Sequence, residues 1–412
     1  MRIAFDGTTL TPGRTGVGYY TEHLLQHLAR EVERTGDELV VISNQGIDTA
    51  FPLPKHVRVY SARQLPVRIG WMQLLAARVL TDLQPDVAHF TNGMIPPGSP
   101  VPTVVTVHDM SLRLHPRCHP FRRLLINRPL VTVAIRNATA MVTVSNSARR
   151  DLLRLYGIPP DRVAVVHEAA APIFQAIRDI EHLERVRRRY SLPERFVLYV
   201  GAIEPRKNLR RLVQAFARAR ARGVPHHLVC VGPYGWSSRN LVRVIERLDL
   251  NEVVQFAGYV PLHDLPAIYN LGELFVFPSV YEGFGLPVVE AMACGTPVIT
   301  SNTSSLDEIA SGAAETIDPY DVDAMAEALV RLLTTADRRR ELALRGLERA
   351  KRFSWTHTAR EMLAIYQRAS GLAVPHAVPA IAPLDGVPSA PGSVAMSRET
   401  QTLVPPVRGG SG

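Results

Sequence analysis

The chain has little of what marks a secreted or membrane-anchored protein. Its 412 residues include three cysteines, Cys118, Cys230 and Cys294, none close to another in sequence. Neither a disulfide framework nor a cysteine-based zinc site is expected, and a reducing cytoplasm fits. No run approaches about 18 apolar residues, so no spanning helix is expected. The opening Met-Arg-Ile-Ala-Phe-Asp-Gly reads as a strand and lacks the regions of a secretory leader. Lysine is scarce as well: Lys55, Lys207 and Lys351 stand against 44 arginines. The net charge of +9 is unevenly spread, because residues 111–150 hold eight arginines and no acid. No nucleic-acid-binding motif accompanies that basicity, so nucleic acid is not the expected partner.

What is present is ordinary for a globular chain: 46% hydrophobic and 21% charged residues. At roughly 100–200 residues per domain, two or three domains are expected. Short apolar runs alternate with amphipathic helical patterns, the mark of βα units on a parallel sheet. The first half predicts strands at Arg2–Phe5, Glu38–Ile42, Val57–Tyr60, Val87–Phe90, Thr103–Val107, Ala140–Val144 and Val163–Val166. Its helices are expected at Tyr19–Arg34, Gly70–Leu83, Pro120–Asn137 (interrupted by Pro129) and Ser147–Leu155. The pattern changes near Ala170–Leu192, where the charge-dense Arg178–Tyr190 separates two series. A fresh strand, Phe196–Val200, opens the second series, and a last helix is expected at Trp355–Ala369. The expected division is 1–172, 190–354 and a final helix at 355–369, with a disordered Pro/Gly-rich tail at 370–412. From Gly371 onward there are seven prolines, six glycines and no aromatic residue, too little to offset chain entropy.

Four motifs carry chemistry. In Pro278–Ile299, a strand runs into a loop with Gly283 and Gly285 and then a helix with Pro287 near its start and Gly295 past its end. Free amides at such a helix start attract anions. Glu282 and Glu290 flank this loop and can face one cleft, whereas an isolated pair of glutamates is usually two solvated side chains. Gly201–Leu209 puts Arg206 and Lys207 at a helix start, where cations oppose the dipole unless an anion lies between. The alternative is two exposed basic residues. Gly13–Tyr20 invites comparison with the dinucleotide fingerprint, but Thr21 breaks the glycine pattern, so a phosphate- or substrate-facing loop is expected instead. His108 and Asp109 fall at a strand's carboxyl end, where ligands of open α/β sheets bind; a structural histidine is the competing reading. Asp321-Val-Asp323 resembles a metal-binding pair, but its place before a helical run reads as an N-cap and a first-turn acid. No metal site is expected.

Together, the Glu282–Glu290 motif, the Gly-Ala-Ile-Glu-Pro-Arg-Lys-Asn-Leu loop and the Ile317–Leu329 segment resemble glycosyltransferase family 4 over about residues 1–369. The Glu204–Asn208 variant and Val231–Trp236 are similar to its mannosyltransferase-like subgroup. The resemblance implies an α/β fold of two Rossmann-like domains, the GT-B arrangement, facing a central cleft. The C-terminal helix would cross back to the first domain. It also implies a retaining, metal-independent hexosyltransferase without a cofactor, taking GDP-mannose or a UDP-sugar and acting on a saccharide or polyprenyl-linked acceptor in polysaccharide synthesis. By that resemblance Glu282 and His108 are catalytic. Arg206 and Lys207 would neutralise the donor diphosphate and Glu290 would hold the ribose. Phe284, Gly285 and Leu286 would hold sugar and phosphate, and Gly16, Val17 and Gly18 would close over the phosphate. Two departures stand out: Ala202 replaces a frequent arginine, and His167-Glu168-Ala169 replaces Pro-Asn-Gly.

Two other classes compete. A silent nucleotide-sugar-binding protein would lose Glu282, Glu290, Lys207 or His108, and all four are present. An NAD-dependent oxidoreductase would need the intact glycine fingerprint. The basic, apolar Phe121–Ile126 suggests peripheral contact with an anionic membrane at its inner face, against a plain solvated helix face.

Overall fold

The computed structural model describes residues 1–13, 16–61, 65, 67–235 and 238–371. The expected tail lies, from residue 372, outside the described residues, as do Arg14 and Thr15 of the first glycine loop.

The apolar runs form strands buried on both faces, as a parallel sheet covered by helices demands; Val87–Phe90, Thr103–Val107 and Phe196–Val200 are buried throughout. The first sheet holds β1 (Arg2–Asp6), β2 (Glu38–Ser43), β3 (Val57–Ser61), β4 (Val87–Phe90), β5 (Thr103–Val107), β6 (Ala140–Thr143) and β7 (Val163–Val165). The second holds β8 (Phe196–Val200), β9 (His227–Val231), β10 (Val254–Gly258), β11 (Leu274–Phe277), β12 (Val298–Ser301) and β13 (Glu315–Ile317). Their orders are β3-β2-β1-β4-β5-β6-β7 and β10-β9-β8-β11-β12-β13. Every pairing is parallel.

The helices around the first sheet are α1 (Gly16–Thr35), α2 (Arg68–Leu74), α3 (Ala76–Leu83), α4 (Ser111–Leu114), α5 (Phe121–Asn137) and α6 (Asn146–Tyr156). Next come α7 (Ile180–Arg189), α8 (Leu209–Ala221), α9 (Ser238–Arg247), α10 (Leu265–Leu271), α11 (Leu286–Ala293), α12 (Ser304–Ala310), α13 (Val322–Thr334), α14 (Ala336–Ala350) and α15 (Trp355–Ser370). Leu24, Leu25, Leu28 and Val32 bury one face of α1, a helical spacing. The last helix, α15, packs on α1. Its Tyr366 Oη lies 2.7 Å from His89 Nδ1 in β4, and its Arg360 Nε lies 3.1 Å from Glu31. The chain therefore returns to the first sheet after completing the second.

The structure corrects several expected elements. Arg178–Tyr190 is not only a charged connector: α7 forms there, capped by the Asp179 carboxylate accepting from the His182 N–H at 2.9 Å. Val186 is buried and Leu183 packs against the core, while Ile180 at the start of the helix is exposed. Helix α14 and strand β13 are additional; the dense charge of α14 hides the buried row Leu342, Gly346 and Arg349. The helix expected at 70–83 is two, broken at Leu75, and nothing in the structure explains the break. Pro129 does not end α5. The bond it forgoes belongs to the carbonyl of exposed Leu125, which water can serve. Helix α1 starts at Gly16 rather than Tyr19.

Candidate active site

In open parallel sheets ligands bind beyond the strands' carboxyl ends, where the strand order reverses. The second sheet reverses between β8 and β11. The loop after β8 carries Arg206 and Lys207; the loop after β11 carries Glu282. The first sheet reverses between β1 and β4, and His108 follows β5 beside that point.

Arg206 and Lys207 sit in a single 3-10 turn, Pro205–Lys207, ahead of α8. Asn208 fixes the turn: its backbone is left-handed and its side-chain amide donates to the carbonyls of Pro278 and Pro319, at 3.1 and 2.6 Å. Both cations then meet Glu282. Arg206 Nη1 lies 2.6 Å from Oε2, Lys207 Nζ lies 2.6 Å from Oε1, and the Ser279 hydroxyl donates to Oε1 at 2.5 Å. The sequence places an anion between these cations and the helix start; the structure puts the Glu282 carboxylate against both cations. Burial would raise the Glu282 pKa, but Arg206 and Lys207 outweigh it and hold the group at about 2. Burial likewise pulls Lys207 down, against the pull of Glu282. Glu204 holds the other amino group of Arg206 at 3.0 Å. Removing one member of such a buried ion pair typically costs about 3–5 kcal/mol.

Helix α11 starts as the motif predicts. Gly285 is its N-cap at φ +107°, a region that disfavours side chains, and Pro287 lies in the first turn. Phe284 turns its ring inward, edge-on to Phe353 at 5.5 Å, and its carbonyl accepts from the Ser305 hydroxyl at 2.8 Å. Glu290 is in the second turn and accepts the Tyr269 hydroxyl hydrogen at 2.8 Å. Burial, with a smaller push from the Glu168 charge, raises its pKa to about 7. Glu282 is thus an ionised, fully partnered carboxylate, and Glu290 titrates near neutrality.

On the first sheet's side, His108 is held at both ring nitrogens. Nε2 lies 2.9 Å from the Thr91 carbonyl and Nδ1 lies 3.2 Å from Glu168 Oε1. Burial opposes its charge, but Glu168 outweighs burial and the pKa rises. Gly16, Val17 and Gly18 form the first turn of α1 rather than a loop. Val17 and Gly18 line a cavity of about 340 Å³ together with His108 and Arg206.

The two loop sets touch. A Cβ on Gly283 would stand 2.0 Å from the His108 carbonyl oxygen, so only glycine allows this approach. The Ser145 hydroxyl donates to the Gly283 carbonyl at 2.6 Å. The Tyr281 hydroxyl donates to Asp151 at 2.9 Å and accepts from the Met110 N–H at 3.2 Å. Glu308 of α12 accepts the Asn146 and Ser147 amides at the start of α6, at 3.0 and 2.9 Å.

Sequence reading assigned no role to Glu168, Glu204, Ser279 or Tyr269. Glu168 carries a signal, since it departs from the family pattern, and Glu204 and Ser279 lie inside the lysine-loop and glycine-loop motifs; Tyr269 lies in an ordinary helix. Asp321 caps α13, accepting from the amides of Asp323 and Ala324 at 2.9 Å each. Among the described residues no cluster of three metal-ligating side chains occurs.

Two parallel α/β sheets whose loops meet, with Glu282, Arg206 and Lys207 clustered ahead of α11, have the architecture of a GT-B glycosyltransferase. The profile of Glycosyltransferase Family 4 matches residues 15–170, and that of Glycosyl transferases group 1 matches residues 183–349. The chain is 32% identical over 387 residues to O-antigen chain mannosyltransferase B of Escherichia coli, covering 89% of this chain and 100% of that one. The chain belongs to glycosyltransferase family 4, in its mannosyltransferase-like subgroup. Two solved structures share the fold. Sucrose-phosphate synthase of Thermosynechococcus elongatus has TM-score 0.70 at 21% identity, covering 89% of this chain and 98% of that one. HepE of Anabaena in complex with UDP-glucose has TM-score 0.68 at 20% identity, covering 89% and 100%.

Proposed function

We propose that this glycosyltransferase moves mannose from GDP-mannose to a saccharide or lipid-linked acceptor, with retention of anomeric configuration and without a metal ion. The observation that carries the reading is the buried set Arg206–Glu282–Lys207 beside the amide end of α11. As the bond from the sugar to the diphosphate breaks, the leaving oxygen gains charge. Two desolvated cations and a helix start, fixed in advance, stabilise such charge. In the step we propose, the donor C1–O bond breaks, the acceptor oxygen bonds to C1 on the same face, and the acceptor proton passes to the leaving diphosphate. Glu282 holds the two cations in place. It is not the nucleophile of a hydrolase, because Lys207, Ser279 and Arg206 already occupy its oxygens. Glu290 meets the ribose hydroxyls, and His108 lines the sugar pocket.

The mannose donor is supported by the O-antigen mannosyltransferase relative; HepE, whose structure holds UDP-glucose, lends the fold alone. Incubation with GDP-mannose or UDP-glucose and membrane extract, with EDTA present, tests the reading. The expected result is mannose transfer from GDP-mannose, insensitive to EDTA, with an α-configured product by proton NMR. An inverted product or an absolute metal requirement overturns the respective part.

A second reading concerns location. No helix among the described residues is long and apolar enough to cross a membrane. Phe121, Leu125 and Ile126 on α5 are nevertheless 75%, 65% and 47% exposed, beside Arg122 and Arg123. Apolar and basic groups together suit an anionic lipid surface. Flotation with phosphatidylglycerol vesicles but not phosphatidylcholine vesicles is expected; equal behaviour removes this reading.

A further inference from the structure

We propose that Glu168 is a positioning residue of the transfer reaction: it holds His108 as an imidazolium with both ring nitrogens taken up by the protein, so that His108 acts as a fixed cation and not as a proton acceptor. This rests on the transferase reading above and deepens it. Glu168 follows β7 and is buried, with 6% of its side chain exposed. Its Oε1 lies 3.2 Å from His108 Nδ1, and the Thr91 carbonyl lies 2.9 Å from Nε2. A carbonyl oxygen only accepts, so Nε2 carries a hydrogen. An ionised carboxylate also only accepts, so Nδ1 carries the other. A ring with both hydrogens is a cation, and neither nitrogen is left to take the acceptor's proton. That agrees with a step in which this proton passes to the leaving diphosphate.

The surroundings support that charge and fix its place. Burial works against it, and Glu168, the Thr91 carbonyl and Asp109 together outweigh burial. From α1 the Tyr20 ring stands perpendicular to the imidazole, with centroids 4.7 Å apart. Burial raises the Tyr20 pKa, so its hydroxyl stays neutral. From β4 His89 is neutral too, since burial and the His108 charge push its pKa down to about 3. From the second sheet's loops Arg206 and Glu282 act on Asp109. Glu290 of α11 titrates higher through burial and, to a smaller extent, the Glu168 charge. His108 lines the cavity of about 340 Å³ with Arg206, and Glu168 is not part of that lining. The ion pair therefore turns its positive end to the cavity. A cation fixed in advance stabilises charge gathering on the leaving diphosphate without moving during the reaction. An amide in place of the carboxylate permits another arrangement of the same shape: its N–H donates to Nδ1, and the ring is then neutral.

The test is nitrogen NMR of the full chain with labelled histidine, comparing wild type, Glu168→Gln and Glu168→Asp; the His108 signals are those lost in His108→Gln. In the wild type both His108 ring nitrogens are expected to read as protonated at pH 7, above the ordinary midpoint of 6.5. In Glu168→Gln the ring is expected to turn neutral at lower pH than in the wild type, and in Glu168→Asp to stay charged. The second readout is kcat at saturating donor, which keeps the titration of Glu290 in donor binding out of view. Glu168→Gln is expected to lose at least tenfold at pH 8 and to recover most of it at pH 6, while Glu168→Asp keeps the wild-type profile. A wild-type ring with one bare nitrogen at pH 7 overturns the proposal. So does a Glu168→Gln loss equal at pH 6 and pH 8, which marks a merely structural role. Should Glu168→Gln fail to fold, the wild-type ring signals decide alone. If no sugar is transferred from any donor while the His108 signals still depend on Glu168, the ion pair stands and the transferase reading falls.

Discussion

The two rims of the site are built on opposite principles. On the second sheet's rim every charge is matched: Arg206 and Lys207 share Glu282, Glu204 adds a second acceptor, and Ser279 completes the carboxylate. On the first sheet's rim Arg68, Arg113, Arg123 and Arg128 line the cavity, and none of them forms a close ion pair among the described residues. A matched buried cluster is rigid, since loss of any member strands a desolvated charge. An unmatched exposed cluster adds little to stability and is free to meet a ligand. The difference teaches that the second sheet's rim is preorganised, whereas the charges of the first sheet's rim add little rigidity to it.

The largest break in that comparison is Glu282→Ala. It strands Arg206 and Lys207 and is expected to lower turnover by about 10³-fold, in line with removal of a preorganised charge-stabilising group. Measured donor consumption at the wild-type rate would remove Glu282 from the machinery. Next comes Gly283→Ala. Its methyl must push the His108 backbone away, separating the rims, and at least a tenfold fall in turnover with a lower melting temperature is expected. Full activity would mean that the rims need not touch.

Glu290→Gln sharpens the comparison through pH. A carboxylate ordinarily titrates near 4.5, and Glu290 does so at about 7. Between those values the unfolded chain loses its proton while the folded chain keeps it, so the wild type loses stability as pH rises. Below that window the two proteins should be equally affected. At pH 8 the variant is expected to be more stable by about 1–3 kcal/mol, yet to bind GDP more weakly. Urea titrations at pH 4.5 and pH 8 read the difference; an equal gap at both would deny the raised pKa. The smallest effect belongs to Asp321→Ala. It removes an N-cap worth about 1 kcal/mol and should leave turnover unchanged. Lost turnover restored by added manganese would revive the metal reading of Asp321-Val-Asp323.

Most of the second rim was legible in the sequence, and the reason is local. Strand, glycine loop and helix start follow one another in Leu274–Ala293, so Glu282 and Glu290 could be sited by spacing alone. The lysine loop was legible because Lys207 is one of three lysines. What escaped depends on distant contacts. Nothing local tells that Glu168 meets His108 across 60 positions, or that Glu308 receives the start of α6. The arginines of residues 111–150 were visible as a composition, but that three of them, Arg113, Arg123 and Arg128, line one cavity with Arg68 needed the fold. Helices α7 and α14 were overlooked because charge density masks a thin apolar row, as at Leu342 and Gly346.

The most direct test of the preorganised donor rim is calorimetric titration of the wild type and Glu290→Ala with GDP, UDP and NADH. The account predicts that the wild type binds GDP and that Glu290→Ala loses at least tenfold. Silence toward both nucleotides with NADH bound would contradict it.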